Sequence, residues 1–543
     1  MQSKKILALS LIAAMVFSSV GCSFLGGGDT GAGSSSDEKD SSSKKPNSSV
    51  KIEIDEGGVA PGELTPAYVF TNNMVLQRGK EVNIYGAGGI RGSEVTVTFN
   101  GQTKSVNPER SGAWCVTLDP MEANAEGQTL TISDELYEFT YENVVVGEVW
   151  YCSGQSNMDQ YLGQILSDRG FSTMGGYETS PLRDYTKYTN WNQVRYYMQP
   201  YNQTEKPHRW GLKSEQYANG WATPQNMQEA MPYSAYAMGF ALKVQEALDV
   251  PVGIVLSARH GSSIVEWLSE ETIAENELQI HYSEGTFQRS QRYNGMTFAL
   301  NNYTVAGFLW YQGCTDSENV MVPYWYEDMK AFVAQFRRAH GDVPFISQSL
   351  IQFNSGADWS LIRQANWDLM NEVDDFYAVN GINAGIPYDT QVPENFNNYI
   401  HAADKYKIST AAAEIALTYV YEESGFNGVA AYPVEGKKSG SNAEIVFETG
   451  VKLKLSEGDT VHNLEGYDGK DWVVIDNATV SGNKIVIPNG AKYSKVRYAC
   501  YNVMMPSATE KYRRSSDYMV NLFTEKAGCT DLAVAPFREL AVS

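Results

Sequence analysis

The stretch that decides the fold is Val144-Val145-Val146-Gly147-Glu148-Val149-Trp150-Tyr151-Cys152, which leads into Gly154-Gln155-Ser156-Asn157-Met158. The apolar run is typical of a buried strand, and the glycine after it permits a tight turn. A serine just past such a strand is accessible to a substrate, and its backbone N–H can point at a developing oxyanion. The pattern differs from the nucleophile elbow of α/β-hydrolases, which has glycine where this chain has Met158. Taken alone, it also fits an ordinary turn at a strand end.

Three later positions suggest acyl transfer at this serine. Gly261 follows a predicted strand and offers a backbone N–H to an oxyanion, and Gln312 follows another and offers a side-chain amide. His401 precedes a predicted helix and is the candidate general base, a role that contributes ~10²–10⁴-fold in rate. The sequence therefore predicts a nucleophile, oxyanion donors and a base in one α/β region.

The pattern of the chain changes twice along its length. Residues 63–140 show short alternating runs separated by Gly and Asn turns, which predicts an N-terminal β-sandwich-like domain. Residues 141–427 mix apolar strand-like runs with helical stretches, which predicts an α/β domain with a parallel sheet. Residues 428–543 alternate again and predict a C-terminal β-rich domain.

The N-terminus has the pattern of an export signal. A positively charged start and a short apolar stretch predict a signal peptide over residues 1–21. Cys22 ends a sequence similar to a bacterial lipobox, which predicts lipidation, although simple cleavage stays open. Residues 22–62 are rich in Gly and Ser and predict a flexible linker. We expect a secreted protein, held at a bacterial cell surface as a lipoprotein.

Composition excludes several classes of partner. The 543 residues carry a formal net charge of −22, which argues against nucleic acid and against electrostatic docking on anionic lipid. Any membrane contact is then through the lipid anchor. If Cys22 is acylated, an odd number of cysteines remains, so at least one thiol is free. The spacing of the cysteines matches no zinc module, and we expect no metal and no cofactor. The oligomeric state is not indicated by the sequence.

Together these stretches resemble the sialate O-acetylesterase-like branch of the SGNH hydrolases, a family of serine esterases. Two motifs, Gly147–Met158 and Trp310–Gly313, are the most distinctive. The other matching stretches are Asn73–Arg78, Pro251–Trp267, Tyr293–Met296, Ile400–Lys405 and Ala535–Arg538.

The resemblance implies a flavodoxin-like sheet and attack by Ser156 on an acetyl ester of a sugar. It makes His401 the base and the N–H groups of Ser156 and Gly261, with the Gln312 amide, the oxyanion donors. Asn157 and Gly313 belong to the same binding motifs.

The chain departs from the family pattern before the histidine. The usual aspartate, two or three residues upstream, is replaced by Tyr399 or Asn398. An acid at that place orients the imidazole and stabilises its cation. Either Ser156 and His401 act as a dyad, or an acid from elsewhere completes the site, with Asp389 as the nearest upstream candidate.

Other residues have competing interpretations. His462 has an Asp-x-x-His spacing but lies in the C-terminal β-rich region, so we interpret it as a chance match. His260 stands beside Gly261 and either lines the cleft or packs. Cys314 replaces a frequent glutamate, and we predict that it and Cys152 are buried small side chains.

These observations predict a serine esterase that removes O-acetyl groups from sugars, sialic acid in the first place. Acetylated xylan or another plant polysaccharide is an alternative substrate. A catalytically inactive glycan-binding lipoprotein is an alternative from a different class, favoured by the missing acid before His401.

Overall fold

The computed structural model describes most of the chain after residue 61. The described residues are 54, 62–163, 182, 191–211, 220–223, 233–280, 287–318, 322–352, 358–384, 400–402, 404–500, 520–525 and 532–543. The predicted signal peptide, the lipidation candidate Cys22 and the candidate acid Asp389 lie outside them. None of the described helices is long and apolar enough to cross a lipid bilayer.

The described α-helices all lie between residues 156 and 419, and strands occur from Thr65 to Ala541. The strands are β1 (Thr65–Pro66), β2 (Val75–Gln77), β3 (Val82–Ala87), β4 (Val95–Phe99), β5 (Gln102–Val106), β6 (Trp114–Leu118), β7 (Asn124–Ser133), β8 (Glu138–Gly154), β9 (Val194–Met198), β10 (Val252–Ala258), β11 (Gly307–Tyr311), β12 (Phe345–Gln348), β13 (Phe376–Val379), β14 (Pro433–Ser439), β15 (Asn442–Phe447), β16 (Lys452–Leu455), β17 (Leu464–Tyr467), β18 (Trp472–Ile475), β19 (Thr479–Ser481), β20 (Lys484–Ile487), β21 (Lys495–Tyr498), β22 (Leu522–Glu525) and β23 (Phe537–Ala541). The α-helices are α1 (Ser156–Asp159), α2 (Ala235–Leu248), α3 (Glu270–Glu275), α4 (Cys314–Ser317), α5 (Trp325–His340), α6 (Ser360–Glu372) and α7 (Lys405–Tyr419).

Strand β8 joins two kinds of sheet. Its first half pairs antiparallel with β7, beyond which lie β4 and β5. Its second half pairs in parallel with β10 on one side and β11 on the other. Burial follows the same division: exposed residues recur up to Asn143, and every residue from Val144 onward is buried. This is the pattern expected where a half-exposed antiparallel strand becomes a central parallel one.

The parallel part of the sheet has the order β9-β10-β8-β11-β12-β13. Because successive side chains of a strand point to opposite faces, Trp150 and Tyr151 lie on opposite faces of the sheet. Trp150 contacts Phe240 of α2 and Tyr151 contacts Phe336 of α5. Helices therefore cover both faces, and the predicted α/β class is confirmed in its coarse form, a mixed sheet with helices and a further β-rich region.

The change of pairing along β8 is fixed by a buried carboxylate. Glu148 accepts a hydrogen bond from the Gln77 amide at 2.9 Å and forms an ion pair with Arg78. The side-chain oxygen of Gln77 in turn accepts a hydrogen bond from the Val149 backbone N–H at 2.8 Å. Gly147 is required beside this network, because a Cβ there would lie 2.0 Å from the Pro251 carbonyl oxygen.

Two hydrophobic cores are present in the described chain. The larger one contains apolar residues of β2–β13 and of the helices, so the N-terminal strands and the parallel sheet share it. The second is formed by the C-terminal strands together with Ile382. Arg363 is fully buried and donates to the Ile351 and Ala499 carbonyls at 3.1 and 3.3 Å, which ties the helical layer to the C-terminal strands. The predicted boundary between residues 140 and 141 falls inside β8, and the domain limits stay predictions.

Gly147→Ala should destabilise the protein, because its methyl group meets backbone atoms that cannot rotate away. Overpacking of this kind costs about 1–3 kcal/mol, and we expect the thermal midpoint of the full chain to fall by roughly 1–4 °C, since the unfolding entropy of a long chain is large. The control is Gly101→Asn, at an open turn with φ +74° that asparagine tolerates. Equal midpoints for both variants in differential scanning calorimetry would contradict the expectation.

Candidate active site

Strands β8, β10 and β11 end at one edge of the sheet. Ala258 and Tyr311 both lie opposite Gly154 in the strand register. The residues that follow these three strands therefore meet, as ligand-binding groups do at the carboxyl ends of parallel strands. The structure brings Ser156, Gly261 and Gln312 to this edge.

A strained turn presents the serine. Gly154 has φ +137°, and a Cβ there would lie 2.2 Å from the Tyr311 carbonyl oxygen, so only glycine fits. The Gln155 N–H donates to the same oxygen at 3.0 Å. The Gln155 side-chain oxygen accepts the Gly313 N–H at 3.0 Å and thereby commits it to the turn. Ser156 is half-buried at the start of α1.

The next residue, Asn157, connects the serine turn to the histidine segment. Its buried amide donates to the Ile400 carbonyl at 3.1 Å, and its amide oxygen accepts the Ala402 N–H at 2.9 Å. These two residues flank His401 directly. One side chain adjacent to the candidate nucleophile thus holds both sides of the candidate base.

His401 is buried, with 5% of its surface exposed. Neither ring nitrogen has a hydrogen-bond partner among the described residues. Burial, reinforced by the charge of Lys405, lowers the pKa of His401 to about 3. The imidazole is neutral at physiological pH, and no acid in the described part of the chain orients it.

Lys405 is a buried residue for which the sequence analysis gave no role. Its Nζ donates to the amide oxygen of Asn157 and lies 5.0 Å from the centre of the Tyr311 ring. Burial lowers the pKa of Lys405 to about 7, so its ammonium is easily neutralised. Its position four residues after His401, at the start of α7, was the available sequence signal.

Two backbone N–H groups are free to serve an oxyanion. Those of Ser156 and Gly261 have no hydrogen-bond partner in the described ranges; Ser156 is half-buried and Gly261 is exposed. Gly261 has φ +73° and open space where a Cβ would be. The two predicted backbone donors therefore lie unpaired at the same edge.

The Gln312 side chain is committed elsewhere. Its amide nitrogen donates to the Ser262 carbonyl at 3.1 Å and to the Asp316 carboxylate, and its oxygen accepts from Trp325 Nε1 at 3.1 Å. Asp316 is fully buried, and burial raises its pKa to about 7. Through the Ser262 carbonyl, Gln312 holds the loop that contains Gly261. Its role as an oxyanion donor stays a prediction.

The cysteines near the site are buried, as predicted. Cys152 and Cys314 are free thiols. Burial raises both pKa values, that of Cys314 to about 12, so neither forms a nucleophilic thiolate near neutral pH. Cys314 Sγ accepts from the Asn157 amide at 3.5 Å.

The remaining histidine candidates separate clearly. His462 precedes β17 in the C-terminal strands, where its N–H donates to Asn521 at 2.9 Å. His260, in contrast, lies at the active-site edge with its ring exposed and contacts Asp159. The sequence analysis did not single out Asp159, although its place three residues after Ser156 puts both on one helical turn.

The comparisons with known proteins match this region to one family model. Residues 146–392 match the family model for "Carbohydrate esterase, sialic acid-specific acetylesterase". The family resemblance predicted from the sequence is thereby confirmed.

Curated relatives of the chain carry the same description. It is 26% identical to sialate O-acetylesterase of Homo sapiens over 286 residues, or 49% of this chain and 52% of the relative. It is 24% identical to the Mus musculus protein over 289 residues, or 46% and 51%. The chain thus spans about half the length of the curated relatives it matches.

A solved structure matches more of the chain. A carbohydrate acetylesterase from Xanthomonas citri has a TM-score of 0.70 and 22% identity, covering 87% of this chain and 99% of that one. This likeness shows the carbohydrate esterase fold. The matched family and these relatives are described as acetylesterases, the class of carboxylic ester hydrolase that the sequence predicts.

The buried Lys405 predicts a pH-dependent stability. Its folded-state pKa of about 7 is below the ordinary 10.5, so between these values the unfolded chain holds a proton that the folded chain has released. Stability from this group therefore rises with pH across that window, with a slope of up to about 1.4 kcal/mol per pH unit.

Lys405→Met lacks this titration. We expect the variant to gain stability relative to wild type most at pH 7 and progressively less toward pH 10, measured by urea unfolding. A difference that does not change with pH would contradict a neutralised lysine.

Proposed function

We propose that the protein is a serine esterase that removes O-acetyl groups from sugars through an acyl-enzyme on Ser156. The observation that carries the proposal is the Asn157 amide, which joins the Ser156 turn to both neighbours of His401. The family match of the same region supports acetyl ester chemistry.

In the acylation step, His401 takes the proton of the Ser156 hydroxyl while the oxygen attacks the acetyl carbonyl. The tetrahedral oxyanion accepts hydrogen bonds from the Ser156 and Gly261 N–H groups. Cleavage releases the sugar hydroxyl and leaves the acetyl group on Ser156. Water then attacks this ester, and acetate and the free serine are regenerated.

The finer fold assignment rests on strand order. Without the edge strand β9, the parallel strands β8, β10, β11, β12 and β13, numbered along the chain, have the spatial order 2-1-3-4-5, which is that of flavodoxin-like sheets. The order supports the SGNH hydrolase assignment. It also supports a ligand site beside the end of β8, the point at which the strand order reverses.

The names of the relatives favour sialic acid as the acetylated sugar. Acetylated xylan stays the alternative substrate. For localisation we propose export and anchoring through Cys22. The disulfide formed by Cys115 supports an oxidising compartment.

A second candidate function is glycan binding without catalysis. It is favoured by the His401 ring, which has no orienting acid among the described residues, and by its low pKa. A base that is hard to protonate gives little help to serine attack.

The test is hydrolysis of 9-O-acetylated sialic acid, acetylated xylan and p-nitrophenyl acetate by the full chain. Ser156→Ala should lose at least ~10³-fold in kcat/KM on every substrate that wild type cleaves, and His401→Gln about 10²–10⁴-fold. His462→Gln, outside the site, is the matched control and should retain wild-type rates.

Full activity of Ser156→Ala would overturn the serine mechanism. An inactive wild type that binds an acetylated glycan in calorimetry would favour the binding protein instead. The ratio of kcat/KM values between sialic acid and xylan decides the substrate.

A further inference from the structure

A second histidine lies at the active-site edge, paired with a carboxylate. His260 Nδ1 lies 3.3 Å from Asp159 Oδ2, and the His260 backbone N–H donates to the same oxygen at 3.3 Å. A carboxylate only accepts, so this contact assigns the ring proton to Nδ1. The side chain of Asp159 is 6% exposed and that of His260 is 59% exposed. The pair thus joins a buried, fixed acid to an accessible imidazole.

The carboxylate is held from its other side as well. The Tyr201 hydroxyl donates to Asp159 Oδ1 at 2.6 Å and lies 2.7 Å from the Tyr161 hydroxyl. The guanidinium of Arg259 lies 4.9 Å from the centre of the Tyr201 ring. Because both carboxylate oxygens are engaged, Asp159 has little freedom to rotate, and the orientation of His260 is fixed with it.

The pair is adjacent to the reacting groups. Asp159 ends the single turn α1 that begins with Ser156. His260 precedes Gly261, and the Arg259 N–H donates to the Gly154 carbonyl at 2.9 Å, so the two loops are joined backbone to backbone. The exposed His260 ring therefore belongs to the loop that is bonded to the serine turn.

The two histidines, His401 and His260, differ in burial and in hydrogen-bond partners. His401 is buried, with no partner for either nitrogen in the described chain. His260 has a carboxylate at Nδ1, which orients the ring, and its side chain is exposed. With Nδ1 engaged, Nε2 is the ring atom that can exchange a proton with a substrate atom.

We propose that His260, oriented by Asp159, is a second acid–base residue that protonates the leaving sugar oxygen. The proposal rests on the esterase function above and adds a separate catalytic group to it. It divides proton transfer between His401, which serves Ser156, and His260, which serves the leaving group and the water.

The protons balance over the cycle. In acylation, His401 takes the Ser156 proton, and the His260 imidazolium gives its Nε2 proton to the sugar oxygen as the ester C–O bond breaks. In deacylation, neutral His260 takes a proton from the attacking water, and His401 returns its proton to the Ser156 oxygen. Ester and water become sugar alcohol and acetic acid, with both histidines restored.

The leaving group provides the test. A sugar alkoxide is a poor leaving group that gains much from protonation, whereas p-nitrophenolate leaves readily without it. The kcat/KM value reports steps up to acylation, so a comparison of the two esters isolates the protonation of the leaving oxygen.

His260→Gln is the decisive variant, because the residue is exposed and the substitution leaves the core unchanged. We expect kcat/KM for the acetylated sugar to fall about a hundredfold and that for p-nitrophenyl acetate to stay within about twofold. Asp159→Asn should show the same selectivity with a smaller loss, since it only orients the imidazole. His462→Gln should leave both values unchanged.

Equal losses on both esters, or no loss on either, would overturn the proposal for His260. Ser156→Ala is run beside it and should be inactive on both esters. Failure of the esterase function itself therefore appears as residual Ser156→Ala activity, which is distinct from any result with His260→Gln. The thermal midpoint of Asp159→Asn shows whether its loss of kcat/KM reflects misfolding. If it does, the kcat/KM values of His260→Gln decide the proposal.

Discussion

The hydrogen bonds of the Asn157 amide are the interaction on which the site depends. They join the turn after β8 to the segment around His401 and the start of α7, which follow more than 240 residues later in the chain. Each bond lies in a buried region, where an unpaired polar group costs about 1–3 kcal/mol. The amide therefore fixes the distance between serine and histidine segments more firmly than apolar packing would, since contacts between apolar side chains have little directionality.

The sheet supplies the second constraint. Three neighbouring parallel strands end at one level, so the segments that carry Ser156 and Gly261 follow them at the same edge of the sheet. Behind that edge, Gln312 and Asp316 use their polar atoms on each other and on the Ser262 carbonyl. Gln312 is thereby satisfied beneath the edge, whereas both ring nitrogens of the buried His401 have no partner among the described residues.

Much of this was predictable from local sequence. The apolar run from Val144 announces a buried strand because a central parallel strand has two covered faces and needs apolar side chains on both. The turn at Gly154 followed from its glycine. The first half of β8 was missed as part of the same strand, because residues 138–143 alternate as an exposed antiparallel strand does.

Within the site, residue type was predictable and partnership was not. His401 was identified through the family resemblance, yet its burial and lack of a partner depend on segments remote in sequence. The commitment of Gln312 to Asp316 and Ser262, and the pairing of His260 with Asp159, arise only when separate strand ends meet. Hydrogen-bond pairing across loops leaves no periodic trace in a sequence.

The continuity of β8 limits how such a protein can be rebuilt by recombination. Strand β8 cannot be divided between two parent proteins without loss of pairing, because its first half pairs with β7 and its second half pairs with β10. The N-terminal strands and the parallel sheet thus form one structural unit, unlike domains joined by a flexible linker. A chimera with a junction anywhere within residues 138–154 would have to match pairing register on both sides at once. Crossovers in engineered fusions belong outside that strand.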